Sequence, residues 1–101
     1  MVNKIEWTKT SLAELGQILL YLKDKVSEDA AMKFADLVKS KISQLSNRTF
    51  DGRPVPEHNN IRFVLLGKFH RLYYRRHGLM LFITRFYDTR QNPTKRPYAK
   101  K

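Results

Sequence analysis

The hydrophobic residues of this chain change their spacing at Ile61, and that change divides the sequence into two structural halves. Up to Asn47 they recur every three or four residues, as they do on one face of an amphipathic helix. From Ile61 to Phe86 they tend to alternate with polar residues, as in a strand with one buried face. A chain of 101 residues has room for one such domain. The pattern therefore predicts an α+β fold in which helices precede most of the sheet.

Two helices and a short leading strand are predicted in the first half. Residues 2–7 are typical of a short strand, and Ser11 with Glu14 has the spacing of a capping box, which marks a helix start. Ser27 is a good N-cap for a second helix that ends near Asn47. The apolar stripes are Leu12, Leu15, Ile18, Leu19, Leu22 and Val26 in the first helix, and Ala30, Phe34, Leu37, Val38, Ile42 and Leu45 in the second. The short connection between the helices predicts an antiparallel hairpin.

The second half is predicted to form a three-stranded antiparallel meander. Its strands, rich in β-branched and aromatic residues, are Ile61–Leu66, Phe69–Arg75 and Leu79–Phe86. Gly67-Lys68 and His77-Gly78 join them as two-residue hairpin turns, and residues 48–60 ahead of them are predicted to be a loop. The expected order is therefore an N-terminal strand, a two-helix hairpin and a meander, with both helices on one face of the sheet.

The tight turns fix which side chains share a face of the sheet. A two-residue turn at Gly67-Lys68 pairs Phe63 with Leu72. The face expected under the helices carries Ile61, Phe63, Leu65, Leu72, Tyr74, Leu81 and Ile83. The opposite face carries Arg62, Val64, Phe69, Arg71, Tyr73, Arg75, Met80, Phe82 and Thr84. Its arginines and aromatic rings, without any acid, favour an open binding surface over an ordinary solvated face, which would mix charges of both signs.

Charge is distributed unevenly along the chain. Lys and Arg number 20 against 9 Asp and Glu, a formal net charge of +11. Residues 1–50 hold 8 basic and 6 acidic side chains, whereas residues 51–101 hold 12 basic and 3 acidic ones. A lopsided positive field attracts a polyanion or an acidic protein partner.

Composition also excludes several chemistries. The chain has no cysteine, which rules out disulfides, a thiolate nucleophile and a zinc finger. His58, His70 and His77 have no carboxylate partners at ligand spacing, so neither a metal nor another cofactor is expected. No apolar stretch approaches the roughly 18 residues that a membrane-spanning helix needs. A cytoplasmic protein is the expectation.

Five segments carry motifs that are informative in combination. They are Trp7, the loop Gly52-Arg53-Pro54-Val55-Pro56-Glu57, Ile61-Arg62, His70-Arg71-Leu72-Tyr73-Tyr74-Arg75 and Arg85-Phe86-Tyr87-Asp88-Thr89-Arg90-Gln91. In this order, over residues 2–92, they resemble the RelE/ParE toxin superfamily, which shows a GR-x-VPE loop, a YR-(I/L)-x-Y strand and a final segment with a frequent histidine. The resemblance implies one toxin domain at residues 1–92, followed by a basic tail at 93–101.

The resemblance also implies a type II toxin that a cognate antitoxin protein neutralises. Superfamily members are either ParE-like inhibitors of DNA gyrase or RelE-like endonucleases that cut mRNA on the ribosome. Asp88 stands where the final segment often has its histidine, which removes a natural general acid or base and favours the ParE-like activity. The RelE-like activity is the alternative, and a non-toxic basic binding module is the third. The expected partners are the antitoxin and either gyrase or the ribosome with its mRNA.

Four catalytic residues are implied if the chain is a nuclease. Arg71 matches the arginine that stabilises the phosphorane charge in RelE-like enzymes, and Arg90 matches the arginine of the last segment. Glu57 matches a loop glutamate that serves as base in some members, although a structural pairing with an arginine is the role we favour for it. Tyr98 would act as the C-terminal tyrosine of RelE-like nucleases. The predicted binding face, for either target, is Arg62, Arg71, Tyr73, Arg75, Arg85 and Arg90.

Overall fold

The protein is described by a computed structural model that covers residues 4–48, 51–56, 58–90 and 96–98. The elements along these residues are β1 (Lys4–Trp7), α1 (Lys9–Lys25), α2 (Glu28–Ser46), β2 (Arg53–Val55), β3 (His58–Leu66), β4 (His70–His77) and β5 (Met80–Asp88). The strands form one sheet in the order β1-β5-β4-β3-β2. The α+β prediction is confirmed. The sheet is mixed because β1 runs parallel to β5, and β2 is a further strand inside the predicted loop.

Both helices begin at side-chain caps, but α1 begins earlier than the capping-box spacing predicts. Thr8 is its N-cap, with the hydroxyl accepting a hydrogen bond of 3.0 Å from the Ser11 amide. The Ser11 hydroxyl instead donates to the Thr8 carbonyl oxygen at 2.9 Å. Ser27 caps α2 as predicted, accepting from the Ala30 amide at 3.0 Å. Within the described residues, neither helix is long and apolar enough to cross a membrane.

The main hydrophobic core lies between the helices and one face of the sheet, here called the helix face. Its buried members are Phe34, Val38, Ile42, Leu45, Val64, Leu66, Leu72, Tyr74, Leu81, Ile83 and Phe86. Leu72 and Ile83 are fully buried, as predicted. Leu12, a predicted core residue, is 55% exposed. The prediction is wrong there because Ser11 occupies the buried face of α1, one position and about 100° around the helix from Leu12.

The β3–β4 turn has three residues, and this overturns the predicted register of β3. Leu66 pairs with His70, so Gly67, Lys68 and Phe69 form the turn, which opens on a positive φ of 67° at Gly67. A shift of one residue moves every side chain of a strand to the other face. The helix face therefore receives Arg62, Val64 and Leu66, whereas Ile61, Phe63 and Leu65 lie on the opposite face, against prediction.

The β4–β5 hairpin contains a bulge that brings Phe86 into the main core. Tyr74 pairs with Ile83, whereas Leu72, two residues earlier, pairs with Phe86. Thr84 is the extra residue on β5. Leu72 and Tyr74 are fully buried in the main core, so they lie on the predicted face of the sheet.

The other face of the sheet, here called the far face, carries a second and smaller hydrophobic cluster. Its buried members are Val55, Ile61, Tyr73 and Tyr87, with Phe63 and Tyr98 packed against them. The expectation of an open face is wrong at its centre, because Tyr73 is only 1% exposed and residues 96–98 lie beside it. The division into a domain at 1–92 and a tail at 93–101 stays a prediction.

Candidate functional site

The predicted site residues do not form one surface, because the sheet separates them. They are Arg71, Tyr73, Arg75 and Tyr98 on the far face, Arg62 on the helix face, Arg85 within β5 and bonded to Glu14 of α1, and Arg90 just after β5. Glu57 lies outside the described residues. The predicted set of six binding residues on a single basic face is thus wrong as a geometric statement, while their functional roles stay predictions.

A cleft of about 330 Å³, here called the tail cleft, lies between the far face and residues 96–98. Its lining residues are Val55, Pro56, Phe63, Arg71, Tyr73, Arg96, Pro97 and Tyr98. Two of them are arginines, and no described carboxylate lines the cleft. Guanidinium groups without a carboxylate between them attract an anion, for which their planar forks offer paired donors.

Arg71 reaches the tail cleft from the central strand β4. Its Cζ lies 4.4 Å from the centre of the Phe63 ring, and its Nη1 lies 3.4 Å from the Tyr73 hydroxyl oxygen. Its Nε is buried and has no hydrogen-bond partner among the described residues. Aromatic packing therefore positions this guanidinium. Arg75 stacks in the same way at the other end of the far face, with its Cζ 4.1 Å from the centre of the Phe82 ring.

Tyr98 closes one side of the tail cleft. Its ring lies 5.3 Å from that of Tyr73 and 5.1 Å from that of His58, measured between centroids. Its hydroxyl donates to Thr84 Oγ1 at 2.9 Å. The residue has a φ of 60°, in the left-handed region that a bulky side chain seldom adopts. These contacts hold the segment of residues 96–98 in a conformation that its backbone does not favour by itself.

A larger cleft of about 480 Å³, here called the helix cleft, lies between α1 and the end of β5. One wall is an ion pair that joins the two elements. Arg85 donates from Nε and Nη2 to both carboxylate oxygens of Glu14, at 2.8 to 3.1 Å, and this pairing raises the pKa of Arg85. Glu14 also accepts from the Phe86 amide at 2.9 Å. Since β1 pairs with β5 only as far as Ile83, Glu14 caps the strand edge that β1 leaves free.

The opposite wall of the helix cleft holds Asp88, Arg90 and His70. Asp88 accepts from the backbone amide, Nε and Nη2 of Arg90 at 2.8 to 3.0 Å, and the side-chain bonds are the main reason that the pKa of Asp88 is lowered. Arg90 in turn stacks on Phe69, with its Cζ 4.3 Å from the ring centre. His70 Nε2 lies 3.8 Å from Asp88 Oδ2, and burial lowers the pKa of His70, so its imidazole is mostly neutral near pH 7. A neutral imidazole beside a paired carboxylate can accept a proton.

Arg62 belongs to a structural network on the helix face. Its Nη1 donates to the Gly52 carbonyl oxygen at 2.7 Å, and its Nε lies 3.9 Å from Asp51. The Tyr74 hydroxyl donates to Asp51 Oδ1 and accepts from the Gly52 amide. Arg76 reaches the same carboxylate at 3.5 Å. The first residues of the predicted Gly52–Glu57 motif are thus fixed to the sheet by hydrogen bonds.

Gly52 cannot carry a side chain at this position. A Cβ there would lie well inside van der Waals contact with the carbonyl oxygen of Phe63 on β3. Glycine is required because β2 begins where the chain passes directly over the neighbouring strand. The glycine of the motif therefore has a packing role in this fold.

Sequence reasoning missed three residues in or beside the two clefts. Glu14 has the spacing of a helix cap, so nothing local indicates that it pairs with Arg85, 71 positions away. His58 and Arg96 meet the far face only through the fold of the C-terminal residues. Among the described residues, no group of three or more His, Asp or Glu side chains is arranged to hold a metal ion.

Known proteins resemble this chain in structure and not in overall sequence. No family model and no curated protein matches it. The chromosomal ParDE TA (toxin–antitoxin) system from P. aeruginosa matches with a TM-score of 0.69 and 20% identity, covering 84% of this chain and 94% of that one. A mutant of YafQ from E. coli gives 0.61 and 13%, covering 83% and 90%. The YoeB/ParE toxin from Agrobacterium tumefaciens gives 0.60 and 15%, covering 84% and 96%.

These three matches are type II toxins of the RelE/ParE superfamily. The predicted resemblance to that superfamily is therefore confirmed as a shared fold. The chain has the superfamily's α+β architecture over more than four-fifths of its length.

Proposed function

We propose that this chain is the toxin of a type II toxin–antitoxin module, that a cognate antitoxin neutralises it, and that it acts as a ParE-like inhibitor of DNA gyrase. The fold shared with toxins, one of them in a ParDE toxin–antitoxin system, supports the toxin role. The pairing of Asp88 with Arg90 is the observation that favours gyrase over mRNA as the target. Where nuclease members often have a histidine, this chain has a carboxylate held ionised by three hydrogen bonds.

A protein target is also consistent with the contents of the tail cleft. None of its described lining residues is a carboxylate or a histidine, the usual general bases, and this composition supports binding rather than proton transfer. An exposed cationic and aromatic surface binds a protein partner without needing proton transfer. The 12 basic side chains after residue 50 would meet acidic groups of the target or the antitoxin.

RelE-like mRNA cleavage is the second candidate, and the tail cleft is the observation that favours it. Arg71, Arg96 and Tyr98 converge on one anion-attracting cavity, and two of these residues match the catalytic set implied by the superfamily. An arginine aimed at a phosphorane would stabilise the charge that develops in the transition state. If the chain is a nuclease, Arg71→Ala should lower the cleavage rate by on the order of a hundredfold.

One set of assays separates the two candidates. The wild type, Arg71→Ala and the matched far-face control Arg75→Ala are induced in a bacterium, with and without the neighbouring antitoxin reading frame. Growth, gyrase supercoiling with purified enzyme, and mRNA cleavage on purified ribosomes are then measured. Inhibited supercoiling without cleavage supports the ParE-like proposal, and in that case Arg71→Ala should weaken toxicity only modestly. If the wild type cleaves mRNA on the ribosome and Arg71→Ala abolishes this cleavage, the RelE-like function replaces the ParE-like proposal. If the wild type causes no growth arrest, both candidate functions are overturned.

A further inference from the structure

We propose that the far face is a docking surface for an acidic peptide segment with an aromatic anchor, and that the chain's own residues 96–98 occupy this surface until such a segment displaces them. This inference goes beyond the proposed function, because it assigns a surface, an occupant chemistry and a competitor. It holds for either cellular target.

The floor of the surface is apolar and depends on the C-terminal residues for its cover. Val55, Ile61, Tyr73 and Tyr87 are each at most 8% exposed, and Pro97 and Tyr98 lie against this side of the sheet. Removing the cover would expose Val55 and the Tyr73 ring, which line the tail cleft together with residues 96–98. Apolar patches of this kind on a soluble domain are sites of association.

Polar contacts contribute little to the binding of residues 96–98 to this floor, which is mainly apolar. Among the described residues, no backbone hydrogen bond joins the segment to the sheet. The side-chain hydrogen bond described for the segment runs from the Tyr98 hydroxyl to the Thr84 hydroxyl. Tyr98 also adopts the left-handed conformation, which is unfavourable for a residue with a side chain of this size. A segment that offers an aromatic ring without this backbone strain would bind the same floor more favourably.

The positive charges in the tail cleft indicate which side chains a partner segment should contain. The tail places Arg96 in the same cleft as Arg71, and no described carboxylate lies between them. Arg71 Nε, moreover, has no hydrogen-bond partner among the described residues. A partner segment with an Asp or Glu at the place of Arg96 would not repel Arg71. It would instead accept a charge-assisted hydrogen bond from it. The fitting occupant is therefore an extended segment that carries a Tyr or Phe ring flanked by carboxylates.

Fluorescence anisotropy with a labelled peptide of sequence Glu-Glu-Tyr-Glu-Glu tests the proposal on the full chain, with Gln-Gln-Tyr-Gln-Gln as the control peptide. Arg71→Ala should weaken binding of the acidic peptide by roughly tenfold or more, as expected for a charge-assisted bond. Arg75→Ala, a stacked arginine on the same face but outside the tail cleft, should weaken binding less than Arg71→Ala does. Tyr98→Ala should tighten binding, because it removes the anchor of the competing segment.

A second variant tests the competition without removing apolar contacts. Arg96→Glu gives the tail its own carboxylate beside Arg71, so the tail should hold the surface better and the peptide should bind more weakly. Lys33→Glu on α2 makes the same change of net charge away from the far face and should have a smaller effect. Circular dichroism of each variant establishes that the fold is retained.

Three results would overturn the proposal. Equal losses of peptide affinity with Arg71→Ala and Arg75→Ala would indicate non-specific attraction. Weaker peptide binding by a folded Tyr98→Ala variant would make Tyr98 part of the peptide-binding site and not a competitor for it. Binding of poly-uridylate RNA, but not the peptide, with the same dependence on Arg71 would make this a nucleic-acid surface. Growth arrest, measured separately with and without antitoxin, reports on the toxin function independently of all three.

Discussion

The two faces of the sheet are built from the same strands but are stabilised in different ways. The helix face is covered by two helices of 17 and 19 residues, and 11 buried side chains form its core. Among the described residues, the hydrophobic cluster of the far face has four buried members, and residues 96–98 lie over part of it. Nonetheless the far face holds the guanidinium of Arg71, with no ion-pair partner among the described residues. Apolar packing is thus concentrated on one side of β4, whereas the other side carries the arginine that we propose as a ligand for a partner.

Arginines illustrate this difference most directly. On the helix face, Arg76 donates to the Leu45 carbonyl oxygen at 2.9 Å and lies 3.5 Å from Asp51, so it joins the end of α2 to the following loop. On the far face, Arg71 and Arg75 have aromatic rings as their neighbours. An arginine that is already hydrogen-bonded within the fold is a poor ligand for a partner, whereas one held by stacking keeps its donors available.

Truncation of Leu72 tests the strength of the helix face and should have the largest effect on stability. Leu72 is fully buried at the centre of the main core, so Leu72→Ala removes apolar contacts and leaves a cavity. The free energy of unfolding should fall by about 2–5 kcal/mol. The matched control Leu12→Ala, at a position that is 55% exposed, should change it by less than about 0.5 kcal/mol. Urea unfolding measures both, and similar losses in the two variants would contradict the assigned core.

The sequence predicts more of the helix face than of the far face, and the reason lies in single residues. Strand β4 has its faces as predicted, because Leu72 and Tyr74 alternate with the charged residues Arg71 and Arg75. Strand β3 has apolar side chains on both faces, so alternation cannot choose its register. The register of β3 is therefore set by the length of the β3–β4 turn, which contains Phe69 in addition to Gly67 and Lys68.

The candidate site was harder to predict than the fold for a related reason. Motif matching identifies Arg71 and Arg90 as individual residues, and spacing along the chain does not reveal that the sheet separates them. The cover over Tyr73 comes from Tyr98, 25 residues later, through ring contacts that no local pattern encodes. Long-range contacts of this kind depend on tertiary packing, which overrides local propensity.

Tyr74→Phe tests whether the polar network of the helix face contributes to stability. The Tyr74 hydroxyl bonds both Asp51 and the Gly52 amide, and burial together with the Asp51 bond raises the pKa of Tyr74 to about 12. Removing the hydroxyl leaves the Gly52 amide without this acceptor and should lower the free energy of unfolding by about 1–3 kcal/mol. Tyr21→Phe, on an exposed side chain, is the control and should be nearly neutral. Equal values for both variants would show that this network does not stabilise the fold.

His70 provides a pH-dependent test at the boundary of the helix face. Burial against Phe34 lowers the pKa of His70 below the roughly 6.5 of an unfolded chain. As the pH falls through about 6.5, the unfolded state binds more protons than the folded state, so the free energy of unfolding decreases. Urea unfolding between about pH 7.5 and pH 5 should show this decrease in the wild type and less of it in His70→Gln. Asp88, whose pKa is lowered, loses its contribution only at more acidic pH, as the pH falls through the usual range of a carboxyl group and below it. An identical slope in both proteins would contradict a neutral His70.

Tyr98→Phe should have the smallest effect on stability. It removes a tyrosine hydroxyl from the far face, as Tyr74→Phe removes one from the helix face, so the two variants compare the two faces directly. The variant keeps the ring on Tyr73 and removes only the hydrogen bond to Thr84 Oγ1. That bond is partly exposed, so water can replace it, and the free energy of unfolding should fall by about 0.5 kcal/mol, the low end for a lost hydrogen bond. The near-ultraviolet circular dichroism of the tyrosines should change more than stability does, since residues 96–98 lose their polar tie to the sheet. A loss as large as that of Tyr74→Phe would mean that the C-terminal cover is as integral to the fold as the helices are, and therefore too costly for a partner to displace.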